Sequence, residues 1–508
     1  MFPSLLLFLL SATTTWTPVS ALPADNLPPR DPMITPPPTP TAVIIQQRAA
    51  VSEWDSYVGS IVSGLGTSVS SYIASGVPQF FQDLPTGTAV EKSLGISDSD
   101  LAAKPTQVLN LPAYGNWTDA GWNVFVHGNV YKVPDISEAK LDDLANIFLI
   151  DTDIHDLPPS SQAQARNMTA SIFVVQQKDQ NVTISFTNDV ETGGQTGTVN
   201  APGGAQEIRV QDPTTDQGDF AGWLKLADTT GQNGTPLIAG NETDKIQSLN
   251  MHAKGTDSGN ATAYLVPPTG ITIISDIDDI LRVTKIWNPK EGLLNSFARP
   301  FTPWMNMPSH YAHWAQTVPN LHFHYLTTTP EQVTRNYMEF IFANYPLGSF
   351  DTRPLNFSDV SATLSIRKHL LDLVFETFPQ RKFVLIGDTT NSDVMKAYPQ
   401  LAKDHPGQVQ CIWLRNTTAT DATFRFPYDT KGFEGIDQSR YMFFVVPDDL
   451  TGLDVSKGEC YNQTVRQNVT FGMQASLFGS SSGVAPLKER SSTWVALLVA
   501  LGAAMVLS

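Results

Sequence analysis

The sequence predicts a parallel α/β domain preceded by a β-rich one, and three observations lead there. From residue 271 onward, apolar runs alternate with helical patterns, as parallel strands joined by crossover helices do. Between about 110 and 268 the apolar period falls to two, with Gly, Asn, Asp and Thr in the turns. A length of 508 residues suits two or three domains, and 41% apolar residues can give each a core. The net charge of −17, with no Lys/Arg run, excludes the basic face that nucleic-acid binding requires.

In chain order, Leu5 to Leu10 form a short apolar core before Val19-Ser20-Ala21, so residues 1–21 read as a signal peptide. Residues 22–45 form a Pro-rich linker. A helical segment over 46–109 is carried by the stripe Val51, Trp54, Val58, Ile61, Leu65 and Val69. The β-rich domain, 110–268, is expected to be sandwich-like: Val182, Ile184 and Phe186 alternate with polar residues, and Trp122, Val124 and Val126 share one face. It holds no catalytic constellation. The α/β domain spans 269–455, with strands at Ile271–Ile274, Phe323–Leu326, Phe383–Ile386 and Val409–Leu414, and helices near 333–344, 361–377 and 393–403.

After a linker with a lipid-attachment region (456–483, small residues Ser480 to Gly483) comes a removed C-terminal signal, 484–508. Its apolar run, Trp494 to Leu507, is 14 residues long, short of the ~20 that a spanning helix needs. Ten sequons (Asn116, Asn167, Asn181, Asn233, Asn241, Asn260, Asn356, Asn416, Asn462 and Asn468) add the expectation of a glycosylated product of the secretory pathway. Its destination would be the cell surface, held on the membrane by the lipid anchor, or the extracellular space. Six sequons fall between 116 and 262, so that region is expected to be well exposed. The two cysteines, Cys411 and Cys460, are expected to bridge.

The chemistry gathers at strand ends, where parallel sheets place their sites. The first strand ends in Asp276-Ile277-Asp278-Asp279. Three like charges there repel unless a cation neutralises them, and all-oxygen ligands point to Mg²⁺. An Asp-x-Asp pair can also divide labour, one carboxylate attacking and the other moving protons. The next strand ends in Thr327-Thr328-Thr329, hydroxyls suited to a phosphoryl oxygen. Lys368, on a helix, is expected to aim its ammonium at the same group. Asp388 and Asp393, after the third strand, can complete an octahedral shell. His322 and His324 alternate on one strand face with no third ligand near in sequence, and read as packed or hydrogen-bonded rather than metal-binding.

This ordered set, Asp-x-Asp, Thr, Lys, then Gly387-Asp388 with Asp393, resembles the haloacid-dehalogenase-like phosphotransferases. Three runs are similar to the actin-patch-protein type of phosphatidate phosphatase: Ser275-Asp276-Ile277-Asp278-Asp279, His324 to Pro330, and Phe378-Pro379 through Gly387-Asp388. The resemblance covers about 262 to 450. It implies Asp276 as nucleophile, Asp278 as acid/base, and Thr327 and Lys368 as phosphoryl-binding residues. Mg²⁺ would lie among Asp276, the Asp278 carbonyl, Asp388 and Asp393, and the reaction would release diacylglycerol and phosphate from phosphatidate. The chain departs from the pattern at Ile280, at Thr329-Pro330-Glu331 and at Thr389 to Ser392. Two alternatives therefore stay open: a soluble phosphomonoester as substrate, or an inactive surface binding protein on the same fold.

Overall fold

The computed structural model describes residues 87–149, 151–187, 206–227, 237–353, 360–420, 428–467 and 470–474. The expected signal peptide, Pro-rich linker, 51–69 stripe, lipid-attachment residues and C-terminal signal lie outside these residues, as do Asn233, Asn356 and Asn468. Among the described residues, no helix is long and apolar enough to cross a membrane.

Two short helices come first, α1 (Thr88–Leu94) and α2 (Asp98–Ala102). Strand β1 (Gln107–Asn110) follows at once, so the expected helical segment gives way to the sheet before residue 109. Next come β2 (Ala113–Thr118), β3 (Gly121–Lys132), α3 (Glu138–Ile147), α4 (Pro159–Ile172), β4 (Val175–Gln176), β5 (Thr183–Thr187) and β6 (Gln206–Arg209). Strands β7 (Asp219–Lys225), β8 (Gln247–Ala253) and β9 (Asn260–Leu265) complete the region.

These nine strands form one sheet, ordered β1-β3-β2-β9-β8-β5-β6, with β4 and β7 also on β3. The expected β-rich region is present, as a single hydrogen-bonded sheet. The twelve-residue β3 pairs with four neighbours, which joins into one ladder what the alternation alone would divide between two sheets. Val124, Val126, Ile184, Phe186, Leu249, Met251 and Leu265 gather into one core. The two helices α3 and α4 were not expected in this region.

The second sheet begins with β10 (Ile271–Ser275). It continues through α5 (Pro289–Leu293), α6 (Met307–Thr317), β11 (His322–Pro330), α7 (Glu331–Asn344), β12 (Ser349–Arg353), α8 (Val360–Thr377), β13 (Lys382–Asp388), α9 (Ser392–Asp404), β14 (Val409–Arg415) and α10 (Thr417–Thr420). Last are β15 (Tyr428–Asp429), β16 (Tyr441–Phe444) and β17 (Met473–Gln474), with β15 and β17 pairing by themselves. Six strands run parallel in the order β12-β11-β10-β13-β14-β16. Ile273, Ile274, Val384, Leu385, Ile412 and Trp413 are fully buried, as in a sheet covered on both faces. Gly387 lets α9 sit close: a Cβ there would lie 2.7 Å from Val394 Cγ1.

Cys411 and Cys460 are bridged, and Trp413 Nε1 donates to Cys460 O at 2.9 Å. Phe443 N also donates to Gln467 Oε1. Residues 456–467, expected to be linker, therefore belong to the α/β domain, because the bridge draws them against β14 and β16.

The two regions share a core in which Leu109, Tyr131 and Phe148 pack with Ile273, Phe297 and Phe350. Phe148 stacks on Phe297 at 4.6 Å, and Phe350 N donates to Pro112 O. The strand histidines are hydrogen-bonded, as their spacing suggested: Ser349 Oγ lies 2.8 Å from His324 Nδ1 and 3.0 Å from His322 Nε2. Asp351 sits between His324 Nε2 at 3.2 Å and His127 Nε2, from the β-rich region, at 2.8 Å. Of the sequons between 116 and 262, Asn167, Asn181, Asn241 and Asn260 are exposed, as expected. Asn116 is the exception among the described residues: it is half-buried and donates to Thr377 O.

Candidate active site

The chemistry-bearing residues meet at the carboxyl edge of the parallel sheet. Ser275 is level with Tyr325 on one side and Ile386 on the other, which sets Asp276 just beyond the end of β10, between β11 and β13. Its backbone N–H still donates to Ile386 O at 2.9 Å, so the residue is held by the sheet while its side chain leaves it.

The Asp276 carboxylate is buried and held from three sides. Oδ1 accepts from Ile277 N at 3.0 Å, Arg367 Nη2 lies 3.3 Å from both oxygens, and Asn391 Nδ2 donates to Oδ2 at 3.2 Å. Burial pushes its pKa up, against the pull of Arg367 and with the help of the Asp278 charge. Asp278 is more open: its side chain keeps 16% exposure against 3% for Asp276. Its Oδ1 accepts from Arg282 Nε and Thr284 Oγ1, both at 2.9 Å. Oδ2 has Thr329 Oγ1 at 3.4 Å, which leaves it the freer oxygen for moving protons.

Asp279, the third carboxylate of the run, has another use. It adopts φ 59°, a left-handed conformation that Asp tolerates, and accepts the backbone N–H groups of Thr284, Lys285 and Ile286. Arg415 packs its guanidinium over the Trp304 ring at 3.9 Å and approaches the Asp279 carboxylate at 3.7 Å. Asp279 thus ties down the loop after the motif. Ile280, one of the departures from the resembled pattern, is fully buried, so its side chain fills core.

Thr327 is buried, and its Oγ1 accepts from Thr329 N at 3.1 Å, which keeps its O–H as a donor. Lys368 is not brought to the site: it is exposed and paired with Asp372 on its own helix. Successive helical residues point about 100° apart, and on α8 the inward direction belongs to its neighbour, Arg367, which is 1% exposed. Among the described residues, Arg367 Nε and Nη1 have no hydrogen-bond partner. The sequence held a signal for this: Ile366, Leu370, Leu371 and Val374, buried on the same helix, flank position 367 and not 368.

Asp388 ends β13 and Asp393 opens α9, both buried. Asp388 Oδ1 accepts from Thr390 N at 2.7 Å, while its Oδ2 and Asp393 Oδ2 have no donor among the described residues. Burial, with the charges of Asp276 and Asp279, pushes Asp388 up to about 7. Burial also raises Asp393, against the charges of Arg367 and Lys396. Among the described residues, no three His, Cys, Asp or Glu side chains draw together closely enough to hold a metal by themselves. Mg²⁺, however, asks for only one or two carboxylates, completed by water and a substrate phosphate. Two orphaned carboxylate oxygens, among buried carboxylates that repel each other, fit such an ion.

Asn391, which sequence reasoning missed, reaches Asp276 because it caps α9: its Oδ1 accepts from Asp393 N and Val394 N. A short polar residue ahead of an acidic first turn is the cap signal that marks it.

Residues 271–416 match the family described as phosphatidate phosphatase APP1, catalytic domain. Phosphatidate phosphatase APP1 of Saccharomyces cerevisiae is 28% identical over 214 residues, which cover 39% of this chain and 35% of that one. The match thus spans about a third of the curated relative's length. A GH2 β-galacturonidase from Eisenbergiella tayi, solved bound to glycerol, is similar at TM-score 0.20 and 7% identity over 61% of this chain and 50% of that one, too low to bear on fold or function. The stretch that is similar to a phosphatidate phosphatase catalytic domain, residues 271–416, holds every carboxylate of the site.

Proposed function

We propose that this chain is a Mg²⁺-dependent phosphatidate phosphatase working through an aspartyl-phosphate on Asp276. The observation that carries the reading is the match of 271–416 to that catalytic family, with its acidic motifs meeting at one sheet edge. An Asp276 carboxylate oxygen attacks phosphorus, and the bond from phosphorus to the diacylglycerol oxygen breaks. Asp278 gives its proton to the departing oxygen. Asp278 then takes a proton from water, the hydroxide attacks the same phosphorus, and the bond to Asp276 breaks, releasing phosphate.

The unpartnered Arg367 N–H groups and the Thr327 hydroxyl are the donors for charge on the transferring group. Asp388 and Asp393, with Asp276 and the Asp278 carbonyl, would hold Mg²⁺. When bound, the ion supplies charge neutralisation between the nucleophile and the phosphoryl oxygens. We place the protein in the secretory pathway, at the cell surface or outside the cell, because a buried disulfide pinning a sheet strand suits an oxidising compartment. Lipid anchorage belongs to the same proposal.

The test is phosphate release from phosphatidate micelles by purified protein, with Mg²⁺ or EDTA, and with Asp276→Asn as control. Release requiring both Mg²⁺ and Asp276 is expected; turnover retained in Asp276→Asn sinks the mechanism. Dependence on the surface concentration of phosphatidate in the micelle, rather than its bulk concentration, separates a lipid substrate from a soluble phosphomonoester.

A further inference from the structure

The loop after Asp388 is one of the places where this chain departs from the pattern it resembles, and there Asn391 makes two contacts at once. Its Oδ1 accepts the N–H groups of Asp393 at 3.1 Å and Val394 at 3.3 Å, which fixes the start of the thirteen-residue helix α9. An amide is oriented by its network: two backbone donors require the oxygen on that side, so the nitrogen must face the other way. There it meets Asp276 Oδ2 at 3.2 Å. Asp276 Oδ1 takes the N–H of its own neighbour, Ile277, and Arg367 spans both oxygens, so Asn391 supplies the remaining polar contact on Oδ2.

We propose that Asn391 is a positioning residue for the nucleophile: the amide that caps α9 also fixes the rotation of the Asp276 carboxylate, so that the helix start sets the line of attack. This rests on the phosphatase reading above. A misdirected nucleophile loses the alignment that intramolecular attack depends on, an effect on turnover rather than on substrate affinity. A cap that served only folding would act on stability alone.

The two roles separate by substitution. In Asn391→Asp, a carboxylate caps α9 as well as the amide does but presents an acceptor to Asp276. In Asn391→Ser, the hydroxyl still caps and is too short to reach Asp276. Each variant is measured with Asp276→Asn and the unsubstituted protein, by thermal unfolding and by steady-state phosphate release over a range of Mg²⁺ and phosphatidate concentrations. Expected for both are Tm values within about 2 °C of the unsubstituted protein, kcat reduced tenfold or more at saturating Mg²⁺, and KM within twofold. A kcat within twofold in both variants overturns the role, as does a loss of kcat seen only where Tm falls in step. An unsubstituted protein without Mg²⁺-dependent turnover overturns the function itself and this role with it; active protein with unaffected variants overturns the role alone.

Discussion

Arg367 and Lys368 are neighbours in sequence and opposites in place, and the difference decides which cation meets the Asp276 carboxylate. Arg367 is buried, touches both oxygens of Asp276 and has two N–H groups without a partner among the described residues, while Lys368 is spent on Asp372 at the surface. A guanidinium can also span two phosphoryl oxygens where an ammonium contributes one point charge. Replacing Arg367 with Ala is therefore expected to lower kcat/KM by about 10² or more, the scale seen when one preorganised donor is removed. Lys368→Ala should stay within twofold, and side-by-side phosphate-release assays of the two variants check this. The reverse ranking would return the phosphoryl contact to Lys368. At this scale the placement was legible where a carboxylate follows directly on an apolar strand, as at Asp276 and Asp388. It was not legible where the role depends on direction around a helix, as at position 368, or on a contact made across a turn, as at Asn391. Asp279 shows a third case: its carboxylate looked like one more charge for a cation and is instead taken up by three backbone N–H groups.

Strands and helices of the α/β region were mostly legible, because buried parallel strands write themselves as apolar runs: Phe383–Ile386 lies inside β13 and Val409–Leu414 inside β14. Strand β12 escaped notice, since Ser349-Phe-Asp-Thr-Arg353 has no apolar pattern, and its polar residues are buried by partners far away in sequence. One of these, Asp351, lies between His127 and His324, and Ser349 links His324 to His322. Burial lowers the pKa of His127 and drives that of His322 well down, with Arg381 and His324 adding to the effect at His322. The folded protein holds His322 neutral while the unfolded chain binds a proton below about 6.5, so this histidine costs stability as pH falls through that value. Between pH 7 and 5 the cost approaches ~2 kcal/mol for a fully buried imidazole. The carboxylates with raised pKa act in the opposite sense, so the comparison must be internal. The Tm of His322→Gln, whose amide can still hydrogen-bond, should fall less than that of the unsubstituted protein between pH 7 and 5. Parallel Tm-versus-pH curves would remove His322 from the account.

For the whole molecule, two regions distinct in sequence pattern share one core, and the C-terminal segment is fastened across it. Alternation in one region and apolar runs in the other are local signals, so they could not show that Leu109 and Tyr131 would pack with Ile273 and Phe350. The fastening was half visible: two cysteines suggested a bridge, yet nothing local said that residues 456–467 would lie on β14 and β16. The bridge closes a loop of 49 residues' separation, and both sulfurs are buried. In the chain-entropy picture such a loop contributes ~4 kcal/mol by restricting the unfolded chain. Its loss should therefore appear in stability more than in chemistry, since Cys411 lies in the buried body of β14 while the acidic groups sit at the sheet's carboxyl edge. Replacing both cysteines with Ser is expected to lower the urea midpoint by an amount equivalent to several kcal/mol, with kcat for phosphate release in native buffer within about threefold. If the midpoint is unchanged, the sheet holds Cys460 and its segment without the bond, and the case for an oxidising compartment loses its structural support. If the midpoint and kcat fall together, the strap also orders the site, through Arg415 at the end of β14 and its hold on Asp279.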